Sequence, residues 1–213
     1  MKKIILLLVV ATIFSCKKEF KKTEVKQAAN EVKQEQFEVI KSFTAQDVIT
    51  WTKTRVNLDQ TTEVEYSDVV YKIERTTKDE SSFLSTSLIP VTYGNICKAS
   101  VIVKKGSDSS FFGFRISGSY PDRADAVFDL ETGVLKAVKK ARDFENESAS
   151  IEPLGDGWYK CTVTTEVAAD NIRIMLGPTT NEKDILGWEG KTGTTGNIYF
   201  APSSLVVEEV KQQ

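Results

Sequence analysis

The chain has 213 residues, 40% of them hydrophobic, with 28 basic and 30 acidic side chains and a net charge of −2. It has no histidine, which excludes Ser-His-Asp and Cys-His nucleophile systems and every His-ligated zinc site. From residue 46 onward there are 19 basic and 25 acidic residues, net −6, so nucleic acid is excluded as a partner, because phosphate contacts need a basic face.

The first predicted element is an export signal. Met1-Lys2-Lys3 is a short positive stretch, Ile4 to Phe14 is apolar apart from Thr12, and Ser15 is the small residue before Cys16. That is the layout of a bacterial lipoprotein signal, with residues 1–15 removed and Cys16 acylated, palmitate being the expected chemistry. The apolar run is shorter than the roughly 20 residues a transmembrane helix needs. Lys17 rather than Asp after Cys16 argues, by analogy with enteric sorting, against retention at the inner membrane. The expected address is therefore the outer membrane, facing either the periplasm or the cell surface, with the lipid as the membrane contact.

Residues 16–45 read as the lipidated cysteine and a charged tether. Residues 17–45 hold seven Lys and five Glu and no Gly or Pro. The Lys17, Lys18, Lys21, Lys22 cluster is read as a solvated linker, as charge runs usually are. Val25, Ala28, Ala29, Val32, Val39, Ile40 and Phe43 fall near helical spacing, and Thr23 suits an N-cap, so a weak helix is expected over 24–41.

From residue 46 to 213 the texture is β. Val, Ile, Thr, Tyr and Phe recur in short runs separated by Gly, Asp, Asn and Ser. The predicted strands are 49–56, 62–75, 83–90, 95–104, 110–117, 124–130, 133–138, 157–165, 171–177 and 198–208. Gly133 should turn a tight hairpin at positive φ, and Gly155-Asp156-Gly157 should turn into the strand at Trp158. About ten short strands without a convincing helix argue for one antiparallel β-sandwich.

Alternation assigns faces, since a one-residue slip would reverse every side chain. Cys97, Ala99, Val101 and Val103 share one side. Phe112, Phe114 and Ile116 do the same, as do Tyr159, Cys161 and Val163, and Ile172, Ile174 and Leu176. These sets are the predicted core. Phe111, Arg115, Trp158 and Arg173 fall on the outer face. Cys97 and Cys161 are read as small buried hydrophobes rather than a disulfide.

Five segments in order carry a resemblance: Trp51-Thr52-Lys53-Thr54, Ser100-Val101-Ile102-Val103-Lys104-Lys105-Gly106, Phe128-Asp129-Leu130-Glu131-Thr132-Gly133, Gly155-Asp156-Gly157-Trp158-Tyr159-Lys160-Cys161-Thr162-Val163-Thr164, and Gly193-Thr194-Thr195-Gly196-Asn197-Ile198-Tyr199-Phe200. Together they resemble the carbohydrate-binding-type, galactose-binding-like jelly roll of phage tail and fibre proteins and polysaccharide-degrading systems. The resemblance covers about residues 46–210 and implies architecture more than ligand, because its residues are turns, core and strand ends. It departs at Ala201-Pro202-Ser203-Ser204, where Pro202 calls for an edge or a bulge.

The function these features point to is non-catalytic glycan binding. Sugar rings stack on aromatic platforms while a few polar groups fix the hydroxyls. Trp188, in Gly187-Trp188-Glu189-Gly190, and Tyr120, in Gly118-Ser119-Tyr120-Pro121, are the loop aromatics proposed to touch ligand. Arg115 and Arg173 would serve an acidic glycan. Trp158 is read as packing. The alternative is a structural or protein-interaction lipoprotein module with no sugar ligand. An enzyme is the least favoured reading, because no cluster licenses a reaction class. No cofactor is expected. A structural calcium on Asp79-Glu80, Asp122, Asp125 or Glu208 stays open, each being more simply a solvated carboxylate.

Overall fold

The structure, a computed structural model, describes residues 36–108 and 111–210. The signal, Cys16 and the tether as far as residue 35 lie outside the described residues. The strands are β1 (Phe37–Ser42), β2 (Thr52–Thr54), β3 (Val56–Thr61), β4 (Val70–Arg75), β5 (Phe83–Ser85), β6 (Ile89–Pro90), β7 (Ile96–Lys105), β8 (Phe111–Ser117), β9 (Arg123–Asp129), β10 (Val134–Ala141), β11 (Glu145–Gly155), β12 (Trp158–Glu166), β13 (Asn171–Thr179) and β14 (Asn197–Val210). Two short 3-10 turns, Asp47–Thr50 and Ile185–Gly187, are the only helical elements among the described residues.

Two antiparallel sheets form a sandwich. The first runs β11-β12-β7-β14-β4-β3, with β1 beside β14; the second runs β10-β9-β8-β13-β5-β2, with β6 beside β13. The inner faces are those the alternation assigned. Cys97, Ala99, Val101, Val103, Cys161 and Val163 meet Phe112, Phe114, Ile116, Ile172, Ile174 and Leu176, all without exposed surface. Phe112 stacks on Phe114 at 5.5 Å and on Phe128 at 6.1 Å between ring centroids. Tyr159, expected inside, is only half-buried. Cys97 and Cys161 are unbridged thiols, and burial pushes Cys97 up to about 12 and Cys161 well above its ordinary value.

Three differences from the expected elements have local causes. Phe37–Ser42, assigned to a helical tether, is a strand paired with Val206 to Val210 of β14. The backbone groups of that long strand need partners, and this fixes β1 more firmly than a weak helical pattern does. β11 was not foreseen, because an edge strand with mostly exposed side chains carries little apolar signal. Its Pro153 sits at a register shift against β12, where a missing N–H is tolerated. The run 62–75 is a strand only from Val70; residues 62–69 form a loop.

Two turn expectations hold. Gly133 and Gly155 have φ of +68° and +95°. Pro202 lies in β14 where its register against β7 shifts between Ala201 and Val206, and the Ser204 hydroxyl accepts from the Ile102 N–H there.

Because each long strand reverses at a turn, the loops sort to two ends. One end carries residues 91–95, 118–122, 142–144 and 167–170, together with Phe37 and Val210, which pair with each other. The other carries residues 130–133, 155–157 and 180–196; the 62–69 loop leaves β3 and β4 on the side away from residue 196 and folds back to Trp158 and residues 154–156.

Candidate functional site

Trp188 is not available as a platform. Its ring is 0% exposed and packs over the outer face of β8. A Cβ on Gly113 would lie 2.1 Å from Cδ2 and Cε3 of that ring. The Trp188 Nε1–H donates to Asp125 Oδ1 at 2.8 Å. Around it Val127, Met175 and Ile185 form a second small core outside the sandwich. A glycine-flanked tryptophan therefore folds back onto the sheet, because glycine at 113 leaves a recess of indole depth.

Arg115 is also withdrawn, at 4% exposure. Its Nε donates to Asp125 Oδ1 at 2.5 Å, and Nη1 and Nη2 grip the two oxygens of Glu189 at 3.0 and 2.8 Å. Arg123 donates to Leu186 O and places Nε 3.3 Å from Asp125 Oδ2. Arg75, from β4, donates to Glu189 O and Gly190 O. Three arginines from three strands thus hold residues 186–190 against the second sheet. The coulombic pull of Asp125 and Glu189 keeps Arg115 charged against burial. Arg115 is fully engaged by Asp125, Glu189 and Leu186 O, while Arg123 Nε and Asp125 Oδ2 are buried 3.3 Å apart as an ion pair without a hydrogen bond.

The other two expected residues lie at the same end of the second sheet. Arg173 is exposed and pairs in register with Ser117, which pairs with Arg123. Tyr120 follows Ser117 by three residues, in the β8–β9 turn, and is 88% exposed. Its loop is ordered by Gly118 N–H to Asp122 O at 2.9 Å and Asp122 N–H to Ser119 O at 2.8 Å. The Arg123 guanidinium lies over the Tyr120 ring at 5.4 Å, within the range of a cation–π contact. One ring face is thereby backed and the other is open.

Sequence reasoning passed over Tyr93, which is 66% exposed at the same end. The signal was present in Thr92-Tyr93-Gly94-Asn95, a turn with Gly94 at φ +81° and Asn95 N–H to Thr92 O at 3.1 Å. Positive φ at the third position is what a type II turn requires.

Trp158 packs as expected, beneath Tyr66 at 4.6 Å, with its Nε1–H on Glu65 O. Tyr66, Glu65, Ser67, Leu154, Gly155, Asp156 and Trp158 border a shallow cleft of about 420 Å³ at the opposite end. Among the described residues no group of three or more His, Cys, Asp or Glu could hold a metal ion. Four of the five carboxylates considered for calcium have other partners: Asp125 the arginines, Glu80 Arg55, Glu208 Lys98, and Asp122 the Asp143 N–H.

No protein-family model matches the chain, and no curated protein matches it. Among solved structures it is similar to the CBM22-1 xylan-binding domain from Paenibacillus barcinonensis Xyn10C, at 13% identity over 84% of this chain and 95% of that one, TM-score 0.45. It is also similar to the carbohydrate-binding module CBM6cm-2 from Cellvibrio mixtus lichenase 5A in complex with cellotriose, at 8% identity over 83% of this chain and 100% of that one, TM-score 0.40. The sandwich is established by its own ladders, and likeness at this level adds nothing about a ligand.

Proposed function

We propose that the chain is an outer-membrane lipoprotein, acylated at Cys16, whose β-sandwich binds an oligo- or polysaccharide without altering it. The observation that carries the glycan reading is Tyr120: a large ring, 88% exposed, held in an ordered turn with one face backed by Arg123. An aromatic kept in water at that exposure contributes little to folding, while its open face suits the C–H surface of a sugar ring. Because the turn is already ordered, binding loses little further conformational freedom. Arg173 lies at the same end as a hydrogen-bond donor; Trp188 and Arg115 hold the 180–196 loop instead.

Affinity electrophoresis of the full chain tests this against xylan, mannan and β-glucan, and against alginate and pectate. Wild type should be retarded by at least one polysaccharide, with Kd in the micromolar to millimolar range expected of a shallow face. Tyr120→Ala should lose about fivefold in affinity, since one aromatic contact contributes about 1 kcal/mol. If wild type is retarded by none and a protein partner co-purifies, the interaction-module reading replaces this one. Mass spectrometry of the mature N-terminus tests the anchor, an unmodified start elsewhere being the refuting result.

A further inference from the structure

We propose, resting on the glycan reading, that Tyr93 is a second platform and that the ligand is an extended, uncharged oligosaccharide lying from Tyr93 to Tyr120 across the turn 167–170.

Both tyrosines are tied to that turn. On one side, Val91 N–H bonds Asp170 O, Gly94 N–H bonds Val167 O, and Val167 N–H bonds Asn95 O, at 3.0, 2.8 and 3.0 Å. On the other side, a Cβ on Gly118 would come within 3.0 Å of the Ala169 Cβ, so the Tyr120 loop lies directly against the same turn. The strands say the same. β6, just before Tyr93, pairs with β13 through Ile89 and Ile172, and β8, just before Tyr120, pairs with β13 through Ser117 and Arg173. Two strand spacings put the roots of the two loops roughly 10 Å apart, wide enough for more than one sugar ring.

Between them the turn reads Val167-Ala168-Ala169-Asp170. Val167 is buried, and the two alanines offer only methyl groups. Two exposed rings therefore rise on either side of a low saddle. Thr92, Ser119 and Asn171 are exposed around it and can meet hydroxyls.

Charge selects the class. The three loops carry Asp122 and Asp170 and no basic residue of their own; Arg123 beneath Tyr120 is turned to Asp125 and Leu186 O, and Arg142 and Arg173 are exposed at the same end, beside Asp143. The domain from residue 46 is at −6. A polyanion such as a uronate polymer would approach a domain of like net charge, and Arg115, which would have favoured it, is bound to Asp125 and Glu189. A neutral chain meets no such opposition.

The test is calorimetry on the full, detergent-solubilised chain with xylo-, manno- and cello-oligosaccharides of two to six residues. In wild type, affinity for one series should rise about tenfold from the disaccharide to the longest member. Tyr93→Ala should abolish that rise; Tyr120→Ala should weaken every length. Both side chains are exposed, so neither substitution should change the urea midpoint. A flat length dependence in wild type overturns the bridging arrangement, as does a Tyr93→Ala variant that keeps the full rise. In both cases Tyr120-dependent binding of the disaccharide would leave the Tyr120 platform standing. Stronger binding of alginate or pectate than of every neutral chain overturns the uncharged class. Absence of all saccharide binding overturns both readings.

Discussion

Replacing Gly113 by alanine should reveal what Trp188 does. The new methyl would sit 2.1 Å from the indole ring, well inside van der Waals contact. The ring cannot simply swing away, because its N–H is fixed on Asp125 and it is packed in a cluster with Val127, Met175 and Ile185. Gly113→Ala should therefore cost about 3 kcal/mol, the upper part of the overpacking range. Trp188→Ala should cost about 3–5 kcal/mol, from lost burial and the recess left behind. In the Trp188→Ala background the sign at position 113 reverses. The recess is then empty, and alanine in a strand is favoured over glycine by about 0.5–1 kcal/mol. The coupling energy should thus exceed about 3 kcal/mol, at the top of the range for residues in contact. Urea melts followed by far-UV circular dichroism measure all four corners of the cycle. If Trp188→Ala does not fold, Trp188→Leu serves the same cycle with a smaller recess. Equal costs for Gly113→Ala in the two backgrounds would refute the contact, and the 180–196 loop would have to lie elsewhere.

Three further outcomes follow from the same contacts. Cys97 and Cys161 are fully buried, with thiols pushed up by desolvation, Cys97 to about 12. An alkylating reagent near neutral pH should leave both unmodified in native protein and modify both in urea, and rapid native labelling would show that the inner face is open. Phe114→Ala should cost about 3–5 kcal/mol, whereas Lys98→Ala, which loses a partly exposed ion pair with Glu208, should cost under about 1 kcal/mol; equal shifts in melts would mean the faces of the sheets are misassigned. Burial pushes the Asp125 carboxyl up to about 7, against the opposing charges of Arg115 and Arg123, from an ordinary value of 3.8. The folded protein then holds that proton more tightly than the unfolded chain does, so this contribution is complete below about pH 4 and is lost as pH rises through about 7. Melts across that window should show stability falling with pH in wild type, and Asp125→Asn should flatten the slope; a slope the variant retains would assign it to another group.

The sandwich was legible because alternation is a strong code wherever one face of a strand is buried. Cys97 to Val103 and Phe112 to Ile116 could be assigned residue by residue. β11 and β1 were not legible, for the same reason. Both are strands whose side chains are mostly outside the core, and their positions are fixed by backbone pairing with β12 and β14 rather than by their own apolar pattern. The candidate site divided along a different line. Tyr120 and Arg173 could be read from position alone, the one in a turn and the other on the outer face. Trp188 and Arg115 looked equally available by that logic, yet the structure buries both.

What separates the two pairs is long-range and lies in residues that carry no functional signal by themselves. Gly113 and Gly177 face each other across β8 and β13, and removing two side chains there creates a recess that only a distant loop can fill. A glycine inside a strand usually marks a close approach by something, so Gly113 was the available warning, without naming Trp188 as the group that approaches. Asp125 was a second warning. It sits within Ala124 to Val127, where its neighbours are buried, so its carboxylate needed partners on the outer face. Two basic residues stand opposite it in register, Arg115 on β8 and Lys139 on β10, and it is Arg115 that pairs with it. An arginine opposite a buried aspartate is committed before any ligand arrives, whereas Arg173, opposite Ser117, is not. The cross-strand partner of an outward arginine therefore decides whether it is committed to structure, and here it leaves Tyr93, Tyr120 and Arg173 as the exposed groups of the proposed glycan surface.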